Sequence, residues 1–557
     1  MGIDREKIKW NGWGWAAHRH PIAGREDVWN WLAQQLGMPS LLATPARPLD
    51  SITLPVSRLS PGLFAEFGQL LGPERVRDGT HERAFHARGK SYQDLLRLRA
   101  GDFSAIPDVV LYPRESNEVT AILSIAERNG IAIVPFGGGT SVVGGVTAHA
   151  ENFANLATID LSGLDRIFEI DVPGHSVHVE AGIYGQVLEK ALAAKGLTLG
   201  HFPQSFEFST LGGWIAHRGA GQQSSRYGRP KDWLLRARMA TPRGMLESEP
   251  FSSSATGPRL TDLMLGSEGA LGIITDATIA VRSLPKQSMW RAWFFRDFPS
   301  GLTAIRRAQQ DEIAVSMLRL SDPQETQFYR ALSEAGKSGH VGSRVAKTYL
   351  TARGIDEQAC VLIACFEGSN RRVATDAAAF QTLARSLGAL SLGSRPAERW
   401  RAERFQAPYL RDPMLDRGVG VETLETAAAW PQLENLYRSV RTALETAMRE
   451  TAPYPAARGI VLCHVSHAYP EGASLYFTCI FPRNLDAEVA QWQAIKRSAT
   501  DAIAANRGAL SHHHGIGEDH LPWLAQEKGA LGLDVLQAIK RTLDPKGILN
   551  PGKLIPR

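Results

Sequence analysis

The stretch from Pro107 to Ser141 limits the fold more than any other part of the chain. Val109, Val110 and Leu111 make a short apolar strand, and Ser116 with Glu118 opens a helix. Its apolar positions Val119, Ile122 and Ile125 recur at helical spacing, Gly130 closes it, and Ile131 to Phe136 is a second strand. The unit ends in Gly137-Gly138-Gly139-Thr140-Ser141. Such a turn exposes successive backbone N–H groups and lets a pyrophosphate approach without side-chain obstruction. No Gly-Lys-Ser or Gly-Lys-Thr follows, so a Walker-type loop is absent, and Val142 stands where dinucleotide-binding spacing places a third glycine. Taken alone, the turn is either a phosphate cradle or a tight corner.

Three further loops share its character. Ala181-Gly182 follows the alternating strand Ser176 to Glu180. Phe208 to Gly213 is a small-residue loop continued by His217, Arg218, Gly219 and Ala220. Gly266 to Gly272 runs into the β-branched strand Ile273 to Val281. Four such loops at strand ends fit a long cofactor threaded across one domain. Near Leu284-Pro285 the style changes: strands at Val315 to Leu320 and Cys360 to Phe366 alternate with Ala- and Arg-rich helices, as in a separate α+β unit. Val489, Trp492, Ile495, Ala499 and Ile503 mark a long helix ending at Gly508. The expected organisation is a Trp- and Arg-rich, largely helical region over 1–103, a cofactor domain over 104–285, a cap over 286–500 and a C-terminal segment over 501–557. The aromatic cluster Lys9 to Trp15 alternates Trp and Gly too tightly for a helix and is expected to anchor the N-terminus to a neighbouring domain.

The 557 residues are 43% hydrophobic and 21% charged with ordinary Gly and Pro content, which excludes collagen-like and disordered classes. A net charge of +5 permits an anionic ligand without arguing for nucleic acid, and none is expected as a partner. Cys360, Cys365, Cys463 and Cys479 form no Cys-x-x-Cys pair and are expected to be reduced and buried. The start carries no secretory pattern, Glu6 makes Gly2 a poor myristoylation site, and no run of 18 apolar residues occurs. A cytoplasmic protein is expected.

Three adjacent histidines, His512, His513 and His514, are open to packing, metal or acid–base roles. In an extended segment His513 would face away from the other two, so a shared metal ion is not expected. His464 and His467 carry the same ambiguity. Arg319 between strand apolars must pair with an acid or an anionic ligand. Arg411 either pairs with local acids or binds an anion, and Tyr476 in its strand is either core or catalyst.

Taken together, Pro135-Phe136-Gly137-Gly138-Gly139-Thr140-Ser141, Phe206-Glu207-Phe208-Ser209-Thr210-Leu211-Gly212-Gly213 and Glu268-Gly269-Ala270-Leu271-Gly272-Ile273-Ile274 resemble the FAD-contact loops of the vanillyl-alcohol-oxidase type of flavoprotein. Within it, Lys9 to Gly14, His86-Ala87-Arg88-Gly89, Ser511 to Gly515 and the Tyr476 strand resemble the alkyldihydroxyacetonephosphate synthase family over nearly the whole chain. The resemblance implies an α+β architecture: a two-part PCMH-type FAD domain, an antiparallel-sheet cap, and a C-terminal segment returning to the flavin. It implies noncovalent FAD held by those loops, together with Gln204, Ser205, His217, Arg218, Gly219 and Ala220, and no metal. The implied reaction replaces the acyl chain of acyl-dihydroxyacetone phosphate by a fatty alcohol, with oxidised FAD as electrophile and no net oxidation. Tyr476 then matches the acid–base residue, Arg411 the phosphate-binding residue, and Arg319 with His512, His513 and His514 further residues needed for activity. It leaves open a homodimer and peripheral contact with the inner membrane face.

Two departures bear on the substrate. Gln204 stands where animal members carry Asp, and Cys463-His464-Val465-Ser466-His467 replaces a segment with fewer histidines. The alternatives are an FAD-linked oxidoreductase of a 2-hydroxy acid, whose Glu-His-Gly-Ile-Gly becomes His513-His514-Gly515-Ile516-Gly517 here, and a flavin-binding protein without turnover.

Overall fold

The structure, a computed structural model, describes residues 3–334 and 353–556; residues 335–352 of the expected cap lie outside the described residues. The helix Ser116–Asn129 forms as its sequence requires: a capping box joins Glu115 and Glu118, and Gly130 ends it in the left-handed region at φ 61°. The strand it feeds, Ile131–Phe136, pairs in parallel with Asn155–Asp160, which pairs in parallel with Val109–Leu111. Val76–Arg77 completes a four-stranded sheet. Far along the chain, the Ile133 N–H donates to the Ile548 carbonyl (2.8 Å) and the Asn550 N–H to the Ile133 carbonyl (2.7 Å). The C-terminal segment thereby covers the sheet's open edge.

A second, antiparallel sheet of five strands runs in the order Ile167–Asp171, Ser176–Glu180, Ile273–Ala280, Leu234–Thr241 and Gly244–Glu247. The two sheets make a two-part domain with the glycine-rich loops between them. Among the described residues the cap is a seven-stranded antiparallel sheet. Its Val419–Ala429, Ile460–Ala468 and Gly472–Pro482 strands form one end. Alternation along the last of these decides its packing: Leu475, Phe477 and Cys479 are fully buried against the cap helices, while Tyr476, Thr478 and Ile480 take the opposite face. Each large apolar side chain so buried contributes about 1.5–3 kcal/mol.

The four cysteines are buried and unpaired, as expected. Three expectations change. Residues Phe208 to Gly213 do not remain a loop, because Leu211–Ala216 is a short helix. The strand expected at Val315 to Leu320 spans Met317–Ser321. The first hundred residues are less helical than expected: Glu26–Gln35, Pro61–Leu71, Thr80–Phe85 and Tyr92–Ala100 are helices joined by long irregular connections. The aromatic cluster is an anchor, with Lys9 paired to Asp412 (2.8 Å), the Trp13 N–H donating to the same carboxylate (3.2 Å), and Trp13 and Trp15 packed edge-on to Phe208.

Candidate active site

A cavity of about 1440 Å³ lies between the glycine-rich loops and the exposed face of the cap sheet. The loop wall is mostly backbone. Pro135, Phe136, Gly137, Gly138, Gly139, Thr140 and Ser141 line it, with Gln204, Ser205, Ser209, Thr210, His217, Gly219, Ala220, Glu268, Gly269, Gly272, Ile273 and Ile274. Among the described residues, the N–H groups of Gly138, Gly139 and Thr140 find no protein acceptor. Three adjacent unsatisfied donors facing a cavity are what a pyrophosphate needs. The close fit of the turn also demands glycine: a Cβ on Gly138 would sit 1.7 Å from the Phe208 carbonyl oxygen. Behind the turn, Arg5 donates to the Gly137 carbonyl (2.6 Å) and to Asp160 (2.9 Å), which also meets His86 (2.8 Å).

Seven residues of the expected FAD loops, Leu211 in the core of the second sheet among them, lie off the cavity wall. Phe206 packs on Phe202, Trp214 and Phe405, while Phe208 packs on the N-terminal tryptophans. Glu207 accepts from the Tyr409 hydroxyl (3.4 Å), Ala270 and Leu271 belong to the core of the second sheet, and Arg218 lies beneath Gly266. Glu268 does more than line the site. Its backbone is left-handed at φ 48°, and its carboxylate accepts the N–H groups of Ile516 (2.6 Å) and Gly517 (2.7 Å). Asn550 donates to its carbonyl (2.7 Å), so the histidine segment, the cofactor loop and the C-terminus meet at one residue.

Side chains build the opposite wall. Cross-strand register sets His464, Tyr476 and Glu425 in one row, then Leu462, Thr478 and Thr423, then Ile460, Ile480 and Val421. Rows lie about 7 Å apart, so the face grades from ionisable to apolar. A bulge between Val465 and His467 brings His464, Ser466 and His467 all to the cavity, although a regular strand would turn His467 away from His464. The apolar end continues into Trp29, Leu32, Phe328 and Met414.

Arg319 donates to Glu325 (2.9 Å) and Ser321 (2.8 Å) and approaches His464 Nδ1 (3.2 Å), which also meets Glu325 (3.0 Å). Burial raises the Glu325 carboxyl, but Arg319 and His464 outweigh it and hold it at about 2. Tyr476 stacks on His464 (5.1 Å between ring centres) and meets His513 and His514 at 6.1 and 5.6 Å. Burial raises its hydroxyl above the ordinary tyrosine value, against lowering by a Thr423 hydrogen bond and the Arg411 charge. Arg411 opens the short helix Arg411–Leu415 and gives one N–H to the Lys90 carbonyl (2.8 Å); its other N–H groups meet no acceptor among the described residues.

The histidine segment is not extended, which overturns the expectation that His513 faces away from His512 and His514. The buried Glu425 carboxylate accepts the backbone N–H groups of His512 (2.5 Å), His513 (3.0 Å) and His514 (2.9 Å), and the Ser511 hydroxyl (2.6 Å). The segment curls around that anion, so His512 and His513 stand with Nδ1 atoms 3.0 Å apart. Burial raises Glu425, but the histidine segment wrapped around it, through three backbone N–H groups and the Ser511 hydroxyl, holds it well below the ordinary carboxylate value. Burial likewise lowers His513 and His514 to about 4. His513 and His514 line the cavity; His512 stands behind them. His467, His512 and His513 also bring one nitrogen each within 4.8 Å of one another, a juxtaposition hidden by the expectation of no metal.

Sequence reasoning missed Glu425, Glu325 and Arg229. Glu425 left a signal: a carboxylate in a strand that also carries Val419, Val421, Leu424 and Ala427 needs a partner once buried.

The comparisons agree with this geometry. Residues 107–248 match the family described as FAD binding domain, and residues 284–554 match FAD linked oxidases, C-terminal domain. The chain is 31% identical to the alkyldihydroxyacetonephosphate synthase of Dictyostelium discoideum, covering 99% of this chain and 94% of that protein. It is 31% identical to that of Trypanosoma brucei brucei, covering 99% and 93%. A solved alkyldihydroxyacetonephosphate synthase structure superimposes with a TM-score of 0.82 at 30% identity, covering 99% and 100% of the two chains. Unsatisfied loop donors, the two-part domain and full-length similarity converge: the chain belongs to the alkyldihydroxyacetonephosphate synthase family of FAD-dependent enzymes.

Proposed function

We propose that this enzyme exchanges the acyl chain of acyl-dihydroxyacetone phosphate for a fatty alcohol, giving the ether-linked ketone phosphate and a free fatty acid. The observation that carries this reading is one cavity whose cap wall grades from Tyr476 and His464 to Ile480, Val421 and Trp29, opposite a cofactor-binding loop wall. A substrate with a reactive centre and a long chain needs those two regions in that order, beside the loop wall.

FAD, bound along the loop wall, supplies the electron sink for chemistry at the carbon beside the ketone. Arg411 binds the phosphate through its free guanidinium N–H groups. Tyr476 exchanges the proton on the carbon beside the ketone, with Thr423 and the Arg411 charge moderating the rise that burial imposes on its hydroxyl. The Arg319, Glu325 and His464 cluster fixes one side of Tyr476, and His513 with His514 flank the other. The ester C–O bond breaks on the ketone side, the acyl carboxylate leaves with both its oxygens, and the alcohol oxygen forms the new bond as its proton is lost. No external oxidant is consumed.

No helix among the described residues is long and apolar enough to cross a membrane. Both substrates partition into lipid, so the reading includes peripheral contact with the cytoplasmic membrane face; a homodimer is part of the same expectation.

The test is an anaerobic incubation of flavin-loaded enzyme with acyl-dihydroxyacetone phosphate and isotopically labelled fatty alcohol. Labelled ether lipid and stoichiometric fatty acid are expected without an electron acceptor. Absence of ether, with acceptor-dependent oxidation of a 2-hydroxy acid, replaces the reading with the oxidoreductase one.

A further inference from the structure

The histidine pair behind Tyr476 has a polarity set from outside the cavity. Arg229 precedes the short helix Pro230–Trp233, and its guanidinium lies 3.1 Å from His512 Nε2 and 4.8 Å from the centre of the Tyr469 ring. The Tyr469 hydroxyl lies 2.8 Å from the same nitrogen. A guanidinium only donates. Nε2 of His512 is therefore the acceptor, and in a neutral ring the proton must sit on Nδ1. That nitrogen lies 3.0 Å from His513 Nδ1, within hydrogen-bond reach, whereas the Glu425 oxygen facing His513 Nδ1 is 3.6 Å away and beyond it; His513 Nδ1 then accepts from His512, leaving the His513 proton on Nε2.

We propose that Arg229 is a positioning residue that fixes the tautomers of His512 and His513, so that His513 presents a neutral Nε2–H donor to the reacting centre. The inference rests on the proposed alkyl-transfer reading only for what that donor serves; the tautomers themselves do not depend on turnover. Burial, which lowers both histidines below their ordinary value, keeps the rings neutral. The same assignment speaks against a metal at the His467, His512 and His513 cluster. His512 Nδ1 already holds a proton, and a cation there would stand beside the Arg229 charge.

The experiment uses FAD-loaded enzyme carrying 15N-labelled histidine, with signals assigned through His512→Asn and His513→Asn. Wild type should show His512 protonated at Nδ1 and His513 at Nε2. In Arg229→Met no obligate donor faces His512 Nε2, so the His512 proton should spread over both ring nitrogens, whereas Arg229→Lys should keep the original pattern. Tyr469→Phe keeps the guanidinium and should leave the tautomers unchanged. In turnover, Arg229→Met should lower kcat about 10- to 100-fold with little change in KM, with recovery in Arg229→Lys.

Wild-type His513 protonated at Nδ1 would overturn the inference. So would unchanged tautomers in Arg229→Met, altered tautomers in Tyr469→Phe, or a stoichiometric Zn²⁺-induced shift of the His467, His512 and His513 signals. Expected tautomers in an enzyme that makes no ether would defeat the functional reading and leave the assignment standing.

Discussion

The two walls of the cavity are built from different materials. The loop wall presents backbone: three donors without acceptors among the described residues, on a turn where a Cβ at Gly138 has no room. The cap wall presents side chains, with Glu325 and Glu425 held ionised by their neighbours and the His513 and His514 rings held neutral by burial. A backbone wall suits a cofactor that stays in place, because its donors are fixed by chain conformation. A side-chain wall suits reacting groups, because their protonation is set by partners brought from distant segments.

If that division is right, the largest effect comes from one atom on the cap wall. Tyr476→Phe keeps the ring and its stacking on His464, so FAD content and thermal midpoint should stay near wild type. Turnover should fall about 100- to 10000-fold, the cost of removing a positioned acid–base group. An active phenylalanine variant in the labelled-alcohol assay would remove Tyr476 from the proton step. Arg411→Ala comes next. Losing a desolvated charge-assisted contact should weaken binding of a phosphorylated ketone by about 2–5 kcal/mol with the flavin spectrum retained. Titration with phosphorylated and unphosphorylated ketones checks this, and equal affinity for the two ketones in wild type and variant alike would reassign the residue.

The loop wall should fail in the opposite manner. In Gly138→Ala the new methyl group meets the Phe208 carbonyl, and overpacking of that kind costs about 1–3 kcal/mol. The loss should appear as FAD released on gel filtration, with activity recovering as FAD is added. None of the four cysteines lines the cavity, and wild-type flavin is expected to be noncovalent, so denaturation and filtration should free it completely. Flavin retained on the denatured chain would contradict this.

The same division explains what could be read from the sequence. Gly137, Gly138 and Gly139 announce themselves because a turn is local and glycine has a direct conformational reason to be there. The Leu211–Ala216 helix was hidden by Gly212 and Gly213, residues that cost about 1 kcal/mol each in a helix and that tertiary packing overrode. Glu425 gathers His512 to His514 from more than eighty positions away, a relation no periodicity carries. The bulge at Val465 and His467 defeats alternation in the same way, since one extra residue changes which side chains share a face.

The smallest effect per residue concerns pH, and it separates the walls by slope. Burial lowers His514 to about 4, whereas in the unfolded chain it titrates near its ordinary 6.5. Between those values the unfolded state binds a proton that the folded state does not, so acidification favours unfolding. The stability associated with the neutral ring is complete above about 6.5 and declines as pH falls toward 4, by about 1.4 kcal/mol per pH unit for one histidine. His513, also lowered to about 4, acts with the same sign, and Glu425, held below its ordinary value, adds to the loss once pH falls under about 4.5. Denaturant unfolding of FAD-loaded enzyme from pH 7 to 5 should therefore show stability falling steeply with acid. His514→Gln lowers the whole curve if packing suffers, but it should also flatten the slope by one histidine's share. Gly138→Ala, which changes the loop wall without touching a titrating group, should lower the curve at unchanged slope. Parallel curves for His514→Gln and wild type would mean that His514 is protonated in the folded enzyme, and the account of the cap wall as a neutral histidine surface around the Glu425 anion would fail with it.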